Sequence, residues 1–333
     1  MPATYKDIQK ITGFSLSTIS RYFNGYNVKP KIRKSIEEAA EQLDFKMNDF
    51  ARGLRSRKSK TIGLLIPNLD SMFSATIMNY VGRFLRQEGY GCYVCDCNSD
   101  NITEMKAMDF YLSKSVDGII TIPFGPKSLY FENPRIRNIP MVFINRSNPE
   151  FETDSVILNN FEAGRKASSY LLSKGHKNTA ILASTSRFIA IPERMKGYIS
   201  TFKEAGMENE TRIIRSNNTI ADGYNIIKEL FSQKNDITAI FCTNYEITLG
   251  AFAAMNEMGI RFPRDISFIG FDNLQLIEAI RPLITIIEQP MEQMAYKAVE
   301  LLLKRLKAGS DHPYETVVLD AKLVEGESVA DLR

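Results

Sequence analysis

Two rhythms divide the chain. Over residues 1–45 apolar positions recur at the three- and four-residue spacing of amphipathic helices. Tyr5, Ile8 and Ile11 fall on one predicted helical face, Leu16, Ile19 and Phe23 on a second, and Ile32, Ile36, Ala39 and Leu43 on a third. The helix boundaries are marked as well. Thr4-Tyr5-Lys6-Asp7 has capping-box spacing, Gly13 can close the first helix in a left-handed conformation, and Ser15 can cap the second. Pro30 stands near the start of the third, where its missing amide costs nothing. The pattern predicts helix, tight turn, helix and then a third helix, enough to enclose one small core.

From Thr61 onward short apolar runs alternate with longer amphipathic stretches. TIGLLI, GCYVCD, DGIITI and PMVFIN are followed by NTAILA, TRIIRS, TAIFCT and DISFIG, with helical segments at 71–88, 160–174, 192–205 and 246–258 among them. Such alternation predicts an α/β body of doubly wound parallel sheets covered by helices on both faces, and two sets of it predict two lobes. In these sheets ligands bind beyond the carboxyl ends of strands, and between two lobes the cleft is the natural site. The residues following the strands are Pro67 to Phe73, Asn145-Arg146-Ser147, Asn244 and Asp272-Asn273. Any one of them can cap a helix, but together they form the inventory of hydrogen-bonders plus an aromatic that a hydroxylated ligand needs.

Composition sharpens this picture. At 333 residues and 44% hydrophobic, the chain is long enough for two or three folded units. The start, MPATYKDIQK, lacks the apolar region of a secretory signal and no run approaches a membrane span, so a cytoplasmic location is expected. Residues 1–60 hold 13 Lys and Arg against 6 Asp and Glu, which leaves a mild acidic excess on the remainder. A basic end on a mildly acidic body fits a phosphate-binding head, and equally a basic tail. What favours DNA is the second predicted helix, whose Ser15, Ser17, Thr18, Ser20, Arg21 and Asn24 are short hydrogen-bonders plus one arginine.

Other chemistries find little support. Cys92, Cys95 and Cys97 cluster in one predicted strand with no second cluster to complete a metal site, and the chain has only two histidines, His176 and His312. Phosphate-binding glycine loops, the nucleophile elbow and the histidines of common catalytic triads are lacking, so neither catalysis nor any cofactor or metal is expected.

The segment from Thr4 to Phe45 resembles the DNA-binding head of the lactose-repressor/galactose-repressor family. The resemblance rests on Asp7-Ile8, S-x-x-T-I-S-R from Ser15 to Arg21, Asn24-Gly25, Arg33 and A-A-x-x-L-x-F from Ala39 to Phe45. It implies a second helix in the major groove, with Leu16, Ser17 and Arg21 at base-reading positions and Thr4, Ser15, Ser20 and Asn24 near phosphates. An apolar Leu16 can touch a thymine methyl group but cannot donate to a base. The next run is similar to the family's hinge helix, with Ala51, Leu54 and Arg55 at DNA-contacting positions and Leu54 as the wedge in a minor-groove step. Gly53 inside so short a helix predicts that it is disordered without DNA, and Met47 replaces a frequent proline at its entry.

The resemblance continues through the body in IGLLIP, VDGIIT, GHKN, P-x-R-x-x-G-Y at 192–198, TNYEITLGA, P-x-D-I-S-F-I-G-F-D and I-x-Q-P at 287–290. It implies lobes of the periplasmic-binding-protein type with Phe73, Asn145, Arg146, Arg194, Asn244, Asp272 and Gln289 in contact with a sugar-like effector. Arg194 is expected to fork onto hydroxyls, a carboxylate or a phosphate, Asp272 to accept from hydroxyls and Phe73 to stack on a ring. Two departures allow a ligand other than a simple hexose: Asn145 replaces a frequent acid, and Tyr245 replaces the usual Asp.

The implied organisation is a helix-turn-helix head at 1–46, a hinge at 47–60 and a two-lobed body at 61–333. Its N-lobe takes 61–159 and 291–319, and its C-lobe takes 160–290 and 320–333. The expected function is a homodimeric repressor of a carbohydrate-utilisation operon, binding pseudo-palindromic double-stranded operator DNA under effector control. A solute-binding receptor with the same body fold is the alternative, and it predicts an export signal and no basic head. A head that docks on another protein is a second rival.

Overall fold

The computed structural model describes residues 3–23, 26–45, 58–123, 129–146, 152–185, 190–207, 211–272, 281–308 and 312–333. The chain forms two compact units, Met1–Lys60 and Thr61–Arg333.

In the first unit, α1 (Tyr5–Thr12), α2 (Leu16–Phe23) and α3 (Pro30–Gln42) surround a core of Ile8, Ile19, Ile36 and Ala39. The Asp7 carboxylate receives the Thr4 amide at 3.0 Å and the Thr4 hydroxyl at 2.7 Å. Gly13, at φ 71°, ends α1 by donating its amide to the Gln9 carbonyl. Ser15 Oγ caps α2 by accepting the Thr18 amide at 3.2 Å. Rings close the base of the core, with Tyr5 stacked on Phe23 at 5.3 Å between centroids and Phe23 against Phe45 at 5.0 Å. Two of the expected core positions lie outside it: Ile11 is 46% exposed and Leu16 39%. Both sit at helix ends beside the Gly13 turn, out of reach of a core centred on Ile8, Ile19 and Ile36.

The second unit holds two six-stranded sheets. The first takes β1 (Thr61–Ile66), β2 (Gly91–Asp96), β3 (Gly118–Thr121), β4 (Met141–Ile144), β5 (Asp154–Leu158) and β11 (Thr316–Leu319) in the order β11-β5-β4-β3-β1-β2, all parallel. The second takes β6 (Thr179–Ser184), β7 (Thr211–Ser216), β8 (Ala239–Cys242), β9 (Ser267–Phe271), β10 (Thr285–Glu288) and β12 (Lys322–Val324) in the matching order β12-β10-β9-β8-β6-β7. Parallel pairing was expected throughout, but β12 runs antiparallel to β10. Only Asp320 and Ala321 separate β11 from β12, with no helix between them to turn the chain back before it joins β10. The chain passes between the sheets three times, after Leu158, after Glu288 and after Leu319.

Burial on both faces explains the continuous apolar runs of the inner strands. In β1, Ile62, Leu64 and Ile66 face Val81, Leu85 and Leu302, whereas Leu65 faces Met108, Tyr111 and Phe143. In β6, Leu182 joins Ile227 and Ile247, and Ile181 joins Tyr198 and Phe202. Strands β5, β10, β11 and β12 are absent from the sequence pattern because they are short and mixed. β5 opens on Asp154, which is buried only because Arg305 binds it through two bonds of 2.9 Å. The Cys92 to Cys97 run lies on β2 and just past it, and all four cysteines are free thiols.

Helices cover both faces: α4 (Met72–Gln87), α5 (Asn101–Lys114), the short α6 (Pro134–Arg137) and α11 (Met291–Ala308) on the first sheet, α7 (Asn160–Ser173), α8 (Ala190–Glu204), α9 (Ile220–Ser232) and α10 (Tyr245–Glu257) on the second. The α7–α8 crossing matters most for the site. Its helices touch backbone to backbone through Gly164 and Gly197, where an added methyl group would overlap the Arg194 and Phe161 carbonyls respectively. That approach fixes the turn of α8 that carries Arg194.

Candidate functional site

On the first unit, Ser15, Leu16, Ser17 and Arg21 form an exposed row along α2, with Thr4 exposed ahead of α1 and Ser20 half-buried. The buried Ile19 turns the row outward, and Tyr22 holds α2 to α3 by donating its hydroxyl to Glu37 at 2.9 Å. Ser15 Oγ lies 2.8 Å from Ser17 Oγ and 2.9 Å from Thr18 Oγ1, so the helix start presents a cluster of hydroxyls. Such a surface, polar and lightly charged around one arginine, suits phosphate and base-edge contacts. Asn24, Ala51, Leu54 and Arg55 lie outside the described residues, as does the expected hinge around Gly53.

In the second unit the seven residues singled out from the sequence divide between the sheets. Phe73, on the first turn of α4, Asn145 and Arg146 belong to the first. Asn145 follows β4 at φ 67°, donates its amide to the Val156 carbonyl at 2.8 Å and keeps its Oδ1 buried with no partner among the described residues. Arg146 is lowered to about 10 by burial, opposed by the charges of Glu104 and Tyr130.

Arg194, Asn244, Asp272 and Gln289 belong to the second sheet, where the structure joins them in one buried network. The Arg194 guanidinium lies 3.6 Å from the centroid of Phe271, donates from Nε to Asn160 Oδ1 at 2.8 Å and from Nη1 to the Thr243 carbonyl at 2.6 Å. Burial holds it down to about 10, against the attraction of Asp272 and Glu246. The sequence led us to expect a fork onto the ligand. With two of its nitrogens engaged by the protein, Arg194 has only Nη2 without a partner among the described residues.

Asp272 follows β9 at φ 71°, and its Oδ1 accepts Gln289 Nε2 at 2.8 Å. Burial raises its carboxyl to about 6, opposed chiefly by Arg194. Asn244 caps α10 and donates Nδ2 to Glu246 Oε2 at 2.7 Å. Gln289 Oε1 and Asn244 Oδ1 remain buried and unpartnered among the described residues.

Sequence reasoning passed over Asn160, Thr243, Glu246 and Phe271. Glu246 was visible in TNYEITLGA, one place beyond the departure at Tyr245. Tyr245 turns into the apolar cluster of Ile227 and Ile247, so position 246 supplies the acid that position 245 lacks. A groove of about 600 Å³ opens nearby between α4 and α11, lined by Tyr80, Phe84, Gln289, Met291 and Tyr296. It excludes Arg194, Asn244 and Asp272, so the buried network, with its unsatisfied acceptors, is the better recognition site.

Comparison with known proteins shows the family of the chain. Residues 59–324 match the family model described as periplasmic binding proteins and sugar binding domain of LacI family. The HTH-type transcriptional repressor PurR of Yersinia pestis bv. Antiqua (strain Antiqua) is 30% identical over 99% of this chain and 97% of its own. Among solved structures, the Lac repressor dimer bound to operator and the anti-inducer ONPF shares the fold at a TM-score of 0.87, with 22% identity, 99% of this chain and 100% of that one. A LacI family transcriptional regulator from Enterococcus faecalis V583 with bound ribose matches at 0.73, with 26% identity, 82% of this chain and 100% of that one. The chain belongs to the LacI/GalR family of transcriptional regulators.

Proposed function

We propose that the chain is a sequence-specific DNA-binding repressor of carbohydrate-utilisation genes, acting in the cytoplasm as a homodimer under the control of a hydroxylated effector. The observation that carries this reading is the outward row Ser15, Leu16, Ser17 and Arg21 on α2, in a chain aligned end to end with a repressor. A receptor that only bound solute would have no use for such a row, which favours regulation over the solute-binding alternative.

In this reading residues 1–46 read the operator and 47–60 form the hinge helix. Thr4, Ser15, Ser20 and Asn24 hold phosphates, Leu16, Ser17 and Arg21 face bases, and Ala51, Leu54 and Arg55 enter the minor groove. The N-lobe is 61–159 with 291–319 and the C-lobe 160–290 with 320–333. The effector binds between them against Phe73, Asn145, Arg146, Arg194, Asn244, Asp272 and Gln289. One head spans few base pairs, so two act together on a pseudo-palindromic site. Effector binding changes the lobe arrangement and with it the spacing of the two chains at Thr61, with a coupling of about 1–3 kcal/mol. Buried acceptors without a reacting partner support binding rather than catalysis.

Enrichment of randomised duplexes on the full chain tests the DNA reading. It is expected to return a pseudo-palindromic consensus, and a pool with no sequence preference would overturn it.

A further inference from the structure

The four cleft residues of the second sheet carry information about the charge of what they bind. Two carboxylates, Glu246 and Asp272, stand in the same network as one guanidinium, Arg194, and their charges act on one another. Each carboxylate also receives the amide nitrogen of a neighbouring side chain: Asn244 donates to Glu246 at 2.7 Å and Gln289 donates to Asp272 at 2.8 Å. A carboxylate only accepts, so each amide must turn its NH₂ group toward its acid. The amide oxygens then point the other way, buried and unpartnered among the described residues. Asn244 is 6% exposed and Gln289 5%, so neither oxygen is hydrated in bulk water. A buried acceptor left without a donor is costly, and a ligand donor that fills it recovers the loss.

Within this network the groups that would attract an anion are partly engaged by the protein, and the other guanidinium assigned to the effector, Arg146, belongs to the first sheet. Arg194 spends one N–H of Nε and one of Nη1 on Asn160 and Thr243 and sets its face against Phe271, which leaves it fewer donors for a phosphate or carboxylate. The N-terminus of α10, whose dipole would otherwise favour negative charge, carries Glu246 in its first turn.

We propose that Glu246 sets the charge selectivity of the effector site and is the residue rejecting phosphorylated and carboxylated sugars. This rests on reading the network as the effector site. Glu246 works in two ways, by fixing the Asn244 amide with its oxygen toward the ligand and by placing a second negative charge beside Asp272.

The test is calorimetric titration of the full chain with ribose, glucose, galactose and cellobiose, and with ribose 5-phosphate, glucose 6-phosphate, galactose 6-phosphate and glucuronate. At least one neutral sugar is expected to bind, and its charged counterpart to bind about tenfold more weakly or worse, as a nearby like charge dictates. In Glu246→Gln that preference is expected to shrink about tenfold, while Glu246→Asp, which keeps the charge, retains it. Thermal unfolding of both variants shows whether they are folded, and Glu246→Ala, which also removes the charge, carries the comparison if the glutamine variant is not. A charged sugar that binds the parent chain as tightly as its neutral counterpart would overturn the proposal and leave the effector site standing. The same preference in Glu246→Gln as in the parent would remove Glu246 from it. No binding by any member of either set would overturn the assignment of a sugar effector to this network.

Discussion

Asn145 and Asp272 occupy the same station in two copies of one sheet. Each follows the third strand from its edge, β4 or β9, at a positive φ, 67° and 71°, and each donates its amide to the next parallel strand, at the Val156 and Ile287 carbonyls. Asn and Asp tolerate this left-handed backbone better than other side chains, and it turns both side chains off the strand ends where a ligand is read. Asn145→Val is therefore expected to cost about 1–2 kcal/mol, and Asn145→Gly to cost little or nothing. Urea unfolding of the two variants checks this, and equal midpoints would show that the backbone there carries no such constraint.

The α7–α8 crossing gives a way to disturb Arg194 without touching it. A methyl group on Gly164 overlaps the Arg194 carbonyl, so Gly164→Ala must push α8 outward. Overpacking of this kind typically costs about 1–3 kcal/mol. A lower melting temperature together with weakened sugar binding is expected, and unchanged binding would mean that the crossing does not position the arginine.

With the effector at the proposed site, Asp272 is expected to make its binding depend on pH. Its folded-state pKa, about 6, lies above the ordinary value of 3.8, so between these the folded chain holds the proton more tightly than the unfolded one. Stability contributed by this group is therefore present at pH 4, falls as pH rises to about 6 and is level above, a change of about 3 kcal/mol. Ligand hydroxyls donate best to the ionised form, so affinity moves the other way and drops as pH falls through about 6. Calorimetry from pH 5 to 8 should show that drop in the parent chain and a flat profile in Asp272→Asn if the mutant still binds.

In the exposed row on α2, Arg21 alone has the paired donors that a base edge can take, since Leu16 has no polar side-chain atom and Ser17 is short. Arg21→Ala is expected to lose about 1–3 kcal/mol on a selected operator and much less on scrambled DNA, which relaxes specificity. Gel-shift titrations on both duplexes measure it. Equal losses on the two would assign Arg21 to the phosphates instead.

Much of this architecture was legible because burial writes itself into period. Strands buried on both faces, such as TIGLLI and TAIFCT, read as unbroken apolar runs, and Gly13, Ser15 and Pro30 marked helix ends by local chemistry. Positions decided by tertiary partners were not legible. Ile11 and Leu16 have the right spacing for a core they do not reach, and Asp154 looks like a loop residue until Arg305 is placed beside it. The site divided in the same way. Arg194, Asn244, Asp272 and Gln289 follow strands or stand in motifs, but Asn160 and Thr243, which engage Arg194, and Glu246, which orients Asn244, act through contacts that spacing does not encode.

The most direct measurement is fluorescence anisotropy of the full chain on its selected operator, with and without the sugar found by calorimetry, repeated with Arg194→Ala and Asp272→Ala. The expected result is an operator affinity that the sugar shifts by about 5- to 150-fold in the parent chain, with no shift in either variant. An operator affinity that the bound sugar leaves unchanged would contradict control of DNA binding through this site.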